Sequence, residues 1–288
     1  MGRISEKGSS MNITVLVENS TPSSRFIARH GLSLFIETGE RRILFDVGPD
    51  AAFLDNARTL GIDVAAADTV VISHGHSDHG GGLKAYLERT RDVARPAPVY
   101  VREHAFEKHL SGTRERHRSI GLDPALAEDE RVVTTGEVRA MGDGLLLFSC
   151  AGGEHALPAS NGRLFACNAQ GELVPDAFLH EQSLLVHEGD RYILISGCSH
   201  AGILNIMARA ETLAGAPLDA VVAGFHLTAP SAGTMADAEQ IRLLGREMAS
   251  LSTCFYTFHC TGLDAYSLLR DELGDRLRYL YTGASAEV

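Results

Sequence analysis

The stretch TVVISHGHSDHGGG, residues 69–82, says more about the fold than any other part of this 288-residue chain. Residues 69–73 form a continuous run rich in β-branched side chains, the pattern of a strand buried on both faces. The run stops at His74, and four side chains able to bind a metal fall within six residues: His74, His76, Asp78 and His79. Imidazole nitrogens and carboxylate oxygens suit zinc or another borderline divalent ion. His74 and His76, two apart in extended chain, point to one side. Asp78 and His79 follow where the chain turns into a helix, so two neighbouring metal sites are allowed. The glycines between and after them let the backbone pass close to the ions.

Working outward, residues 12–18, 32–37 and 42–46 read as strands, the last two joined as a hairpin through Thr38-Gly39-Glu40. Residues 51–60 have helical spacing. Downstream, the pattern predicts a helix over 83–91, a strand over 98–101 and a helix over 102–110. Residues 111–144 are polar without a clear period and read as an insertion over the active face. A strand over 145–150 precedes an irregular stretch, 151–176. A second hairpin, 183–187 with 192–196, turns at Glu188-Gly189-Asp190. Then come a helix (203–213), a strand (220–223), a helix (235–250), a strand (253–258) and a helix (264–273). No repeat, low-complexity segment or Pro-rich linker interrupts this order. Hairpins followed by strand–helix units occur twice. That predicts an α/β fold with two sheets packed face to face and helices outside, a four-layer αββα sandwich. The expected organisation is a disordered leader over 1–10 and one domain over 11–288.

Composition narrows the function classes. A formal net charge of −11 opposes a nucleic-acid footprint, which needs a basic face. No apolar run approaches the roughly 18 residues of a membrane span, and residues 1–10 lack the apolar centre of a secretory signal. The five cysteines are odd in number, widely spaced and without a C-x-x-C pair, which points to a reducing compartment and a cytoplasmic protein.

Four further histidines stand at expected strand ends: His180, His200, His226 and His259. Taken singly, each reads as a surface or satisfied core histidine. Together they suggest an active site, because catalytic residues of such folds collect at one sheet edge.

Residues 74–79 resemble the H-x-H-x-D-H signature of the metallo-β-lactamase superfamily, and ILFDVG at 43–48 resembles that superfamily's strand before its first helix. GCSHAGI at 197–203, GFHL at 224–227, HCTG at 259–262 and HGLS at 30–33 are similar to one branch of it. That branch is labelled 7,8-dihydropterin-6-yl-methyl-4-(β-D-ribofuranosyl)aminobenzene-5′-phosphate synthase-like. The similarity spans residues 11–283. It implies the metallo-β-lactamase-like αββα sandwich and a metal-dependent active site, and it implies much less about substrate. By that resemblance His259 matches the superfamily's last metal-binding histidine and His180 its middle one. Cys198 stands where many members place a metal-bridging aspartate. A thiolate is able to ligate there, since a nearby metal strongly lowers a thiol's pKa; a small buried residue or a redox-sensitive thiol is the other reading.

The expected activity is metal-dependent hydrolysis of an ester, phosphoester or amide-like bond in a small molecule. One or two divalent ions, zinc foremost and manganese or iron as alternatives, are expected on His74, His76, Asp78, His79 and His259, with His180, Cys198 and His200 as additions. Asp78 orients the nucleophile and moves its proton; His226 contacts the oxyanion or leaving group. Three rivals use the same residues: a dihydropterin-type transferase, an iron-dependent redox enzyme, and a metal-stabilised binding protein without turnover. Arg102-Glu103-His104 and the cluster from Arg114 to Arg118 add positive charge to an acidic chain. Arginine geometry there suits a substrate phosphate or carboxylate, or equally a solvated face.

Overall fold

The hairpin patterns translate directly into strand pairing. In the computed structural model, which describes residues 11–168, 170–229 and 234–288, Ser33–Glu37 runs antiparallel to Arg42–Phe45, with Leu34 opposite Phe45. Asn12–Val17 pairs with the other edge of Ser33–Glu37. Arg42–Phe45 then pairs in parallel with Thr69–Ile72, which pairs in parallel with Val99–Arg102 and that with Val132–Thr135. With Ser285–Glu287 on the far edge, this makes a seven-stranded sheet. The second seven-stranded sheet has the same plan. Val138–Gly142, Leu145–Phe148, Ser183–Glu188 and Arg191–Ile195 are antiparallel neighbours. Ala220–Val222, Cys254–Thr257 and Leu277–Tyr279 continue it in parallel.

Period-two burial explains the layers. Ile43 and Phe45 enter the apolar seam between the sheets, where they meet Leu147, Val186 and Ile193 of the second sheet. Leu44, pointing to the opposite face, packs in a separate cluster with Phe53, Leu83 and Tyr86 of the outer helices. In the second sheet, Ile193 and Ile195 face the seam while Leu194 faces Ile206, Met207 and Leu269. Successive residues of a strand point to opposite faces, so strands covered on both sides must be apolar throughout. That is why Thr69–Ile72 is a continuous run, buried at every position. The three clusters are the three interfaces of an αββα sandwich, and the expected fold class holds.

The middle of the chain differs from expectation. Residues 103–107 form turns, and His109–Gly112 is a strand rather than the end of a helix. It pairs with the distant Leu164–Cys167 on one side and the nearby His117–Ser119 on the other. Leu173–Pro175 completes a small four-stranded antiparallel sheet. The stretch 151–176 is therefore partly regular. These strands are only three or four residues long, too short to show a period in sequence, and the pairing of His109–Gly112 with Leu164–Cys167 across more than 40 residues ties them together. Among the described residues no helix is long and apolar enough to cross a membrane. The expected leader, residues 1–10, lies outside the described residues.

Candidate metal centre

Parallel strands deliver the site. Asp46 follows Arg42–Phe45, His74 follows Thr69–Ile72, Cys198 follows Arg191–Ile195, His226 follows Ala220–Val222, and His259 follows Cys254–Thr257. The carboxyl ends of parallel strands are where open α/β sheets place ligands. Four of these turns are held in an uncommon backbone region, with positive φ at Asp46 (59°), Ser199 (58°), His226 (49°) and His259 (51°). Such conformations cost on the order of 1–3 kcal/mol each, and they persist where the surroundings dictate them. Gly75 and Gly197 are required by contact: a Cβ on Gly75 would lie 2.4 Å from the Ala105 carbonyl oxygen, and one on Gly197 would lie 2.3 Å from Ser73 Oγ.

Four site histidines are tethered through Nδ1, each by an oxygen atom. Ser73 Oγ donates to Asp46 Oδ2 at 2.7 Å, so its oxygen accepts from His74 Nδ1 at 2.9 Å. His79 Nδ1 donates to Asp46 Oδ2 at 2.6 Å. His259 Nδ1 donates to Asn19 Oδ1 at 2.8 Å, and His200 Nδ1 to Asn161 Oδ1 at 3.3 Å. This assignment leaves four Nε2 lone pairs facing inward, the usual arrangement of metal-binding imidazoles.

The inward atoms fall into two neighbouring groups. The ligand atoms of His74, His76 and His200 lie within 4.8 Å of one another, and so do those of His74, His79 and Cys198. Nε2 of His74, His76 and His200 is buried with no hydrogen-bond partner among the described residues, a costly state for a polar atom unless something binds there. Burial, and then the neighbouring histidines, hold all three well below the usual imidazole range, in the neutral form that metals take. In the second group His79 Nε2 lies 3.2 Å from Cys198 Sγ. Burial opposes a charge on His79, yet Asp46 and Asp78 outweigh it and raise the group to about 9. Burial pushes the Cys198 thiol up, and Cys260 adds to this; a coordinated metal reverses that, because a ligating thiol is deprotonated outright. Asp78 lies 3.4 Å from His259 Nε2 and 3.5 Å from His30 Nε2. Burial raises its pKa, but His79, His259 and His30 together hold it well below the usual carboxylate range. The donor set fits a divalent ion by geometry and donor chemistry, and at His74, His76 and His200 by protonation as well.

Of the residues expected from sequence, the structure brings His74, His76, Asp78, His79, Cys198, His200 and His259 to this centre. His226 lies beside it, its ring 4.2 Å from that of His200 and both of its nitrogens without a partner among the described residues. Its carbonyl accepts from Ser160 Oγ and its amide donates to Cys260 Sγ. His180 joins an adjacent group, its ligand atom within 4.8 Å of those of His76, His109 and Asp176. Its Nδ1 accepts from the Gly75 amide at 2.9 Å, and its Nε2 donates to Asp176 Oδ2 at 3.2 Å. Asp176 is also bonded to His109 Nδ1 at 3.0 Å. His180 thus braces the loop between His74 and His76, with both nitrogens engaged.

Several contributors went unsingled in the sequence. His30 touches Asp78, and Asn19, Asp46, Ser73 and Asn161 orient the histidines. Asp46 sits in the ILFDVG stretch, where an aspartate closing an apolar strand beside the H-x-H-x-D-H strand was the available signal. Asn19 and Asn161 carry none.

A cavity of about 290 Å³ opens on the centre, bordered by His76, Asp78, Cys198, His200, His226 and His259. An αββα sandwich with this histidine centre at its strand ends is similar to the metallo-β-lactamase superfamily: residues 27–153 match the family model described as metallo-beta-lactamase superfamily. A solved structure described as a metal-dependent hydrolase of the beta-lactamase superfamily is 29% identical, with a TM-score of 0.79, covering 96% of this chain and 99% of its own. Two proteins of Methanocaldococcus jannaschii are also similar. One, uncharacterized, is 29% identical over 89% of this chain and 93% of its own length. The other is named 7,8-dihydropterin-6-methyl-4-(beta-D-ribofuranosyl)-aminobenzene-5'-phosphate synthase, and is 26% identical over 91% of this chain and 90% of its own.

Proposed function

We propose that the protein is a metal-dependent hydrolase that adds water across an ester, phosphoester or amide-like bond of a small molecule. One observation carries this reading: three buried, neutral, unpartnered imidazole nitrogens converge beside His79 and Cys198, with ionised Asp78 at the open edge. A 29% identical solved structure described as a metal-dependent hydrolase supports it. A divalent ion bound in such a set acts as a Lewis acid and brings the pKa of water to about 7.

His74, His76 and His200 would hold one ion, and Asp78, His79, Cys198 and His259 a second. Zinc suits this nitrogen- and sulfur-rich set best. Asp78, a carboxylate at the cavity wall, orients the attacking water and accepts its proton. His226 presents a ring free of other hydrogen bonds to the developing oxyanion or the leaving group. Five free cysteines accord with a reducing cytoplasm.

A second reading rests on the 26% identical relative named as a synthase. The same residues would then serve a transfer reaction, the ions binding a pyrophosphate leaving group. Metal content per chain, measured by mass spectrometry for the wild type and Cys198→Ala, tests the centre. About two ions falling to one fits the proposal, and no bound metal after reconstitution sinks it. Incorporation of labelled oxygen from water into product separates hydrolysis from transfer.

A further inference from the structure

The cavity at the metal centre has a second wall whose chemistry is different. It is built by the small four-stranded sheet and the turn before it, and it contributes Ser111, Arg118, Arg163 and Leu164. The register puts three of these in one row: Leu164 lies opposite Ser111, and Ser111 opposite Arg118. Residues directly opposite across adjacent strands share a face, so Ser111 and Arg118 present their side chains together. Arg163, the last residue of the turn before Leu164, borders the same cavity. Beyond these residues an open cleft of about 520 Å³ continues outward, and it shares Ser111, Arg118 and Arg163 with the inner cavity. The three therefore form the neck between metal centre and solvent.

Neither arginine is satisfied from within the protein. Among the described residues, no ion pair or hydrogen bond engages the guanidinium of Arg118 or Arg163, nor the hydroxyl of Ser111. Other arginines fare otherwise: Arg29, Arg41, Arg58, Arg131, Arg246 and Arg270 each hold a carboxylate. In a chain of net charge −11 with 37 acidic residues, two free guanidiniums at one cavity neck form a local positive field that draws anions. Ser160, also on the wall, is already committed to the His226 carbonyl. Glu115 borders the outer cleft but does not line the inner cavity.

We propose that Arg118, Arg163 and Ser111 form a subsite for a phosphate group carried by the substrate at a position remote from the bond that reacts at the metal centre. Two forked guanidiniums and a hydroxyl supply more donors than a carboxylate's two oxygens accept, and they match the three terminal oxygens of a phosphate. The subsite fixes the substrate's distal end at the neck while its reacting end reaches Asp78 and His226. This deepens the hydrolase reading, yet the subsite stands on residues that hold no metal.

Calorimetric titration with phenylphosphonate, a non-hydrolysable phosphate mimic, tests it. The titration is run on metal-stripped and on zinc-loaded protein, with benzyl alcohol as the uncharged control. The wild type binds phenylphosphonate in both states, and Arg118→Met and Arg163→Met each weaken it about tenfold, with unchanged melting temperature. Both arginines are exposed, so neither variant threatens the fold. Weakening below threefold in both variants, or no binding with or without zinc, overturns the subsite. Absence of hydrolytic turnover alongside arginine-dependent binding would remove the hydrolase reading and leave the subsite standing.

Discussion

Asp46 Oδ2 lies 2.6 Å from His79 Nδ1, and both side chains are completely buried. The same oxygen accepts from Ser73 Oγ, which in turn holds His74. One carboxylate therefore sets the ring orientation of a histidine in each of the two ligand groups. Asp46→Asn should lower metal affinity about 10–100-fold, the usual cost of losing a partner that orients a ligand. Chelator-competition titration measures this, and equal affinity in variant and wild type would count against the coupling.

His200 and His180 should separate on substitution. His200 offers a bare Nε2 beside His74 and His76, whereas His180 is bonded at both nitrogens. His200→Ala is expected to lower the number of ions bound per chain. His180→Ala should keep that number but weaken binding by about tenfold, because it loosens the Gly75 loop. Metal counting at saturating zinc decides; a lost ion in His180→Ala would make His180 a ligand.

Stability at acid pH should report on Asp176. Burial opposes its ionisation, but hydrogen bonds from His109 and His180 outweigh burial and hold its carboxyl well below the ordinary range. The unfolded state then binds the proton more readily. The stabilisation is complete above an unfolded pKa of about 3.9 and is lost as pH falls toward the folded value. Asp176→Asn should thus be less stable than wild type near neutrality, with the gap narrowing from about pH 5 to about pH 3. Urea midpoints across that range give the answer, and a gap independent of pH would exclude this origin.

Gly75 is the least replaceable residue of the loop. Its missing Cβ would meet the carbonyl oxygen, Cα and carbonyl carbon of Ala105, all backbone atoms unable to rotate away. Gly75→Ala should cost about 1–3 kcal/mol as overpacking and reduce metal retention with it, since His74 and His76 flank the position. Thermal unfolding and metal content of one preparation check both effects. A variant with wild-type stability and full metal would show that Ala105 yields.

What the sequence determined by itself lies close together along the chain. The apolar runs at 69–73 and 43–45 already specify strands covered on two faces, since side-chain direction is a local property of extended chain. His74, His76, Asp78 and His79 are legible for the same reason: their spacing alone puts them at one strand end. The pairing of His109–Gly112 with Leu164–Cys167, which builds the arginine-bearing wall, was not legible. Nor were the bonds of His180 to the Gly75 amide and Asp176, or the tethering of His259 by Asn19 and of His200 by Asn161. The two asparagine contacts join residues 240 and 39 positions apart. Segments of four residues and single asparagines carry no period, so only the packing of the two sheets decided which of them meet.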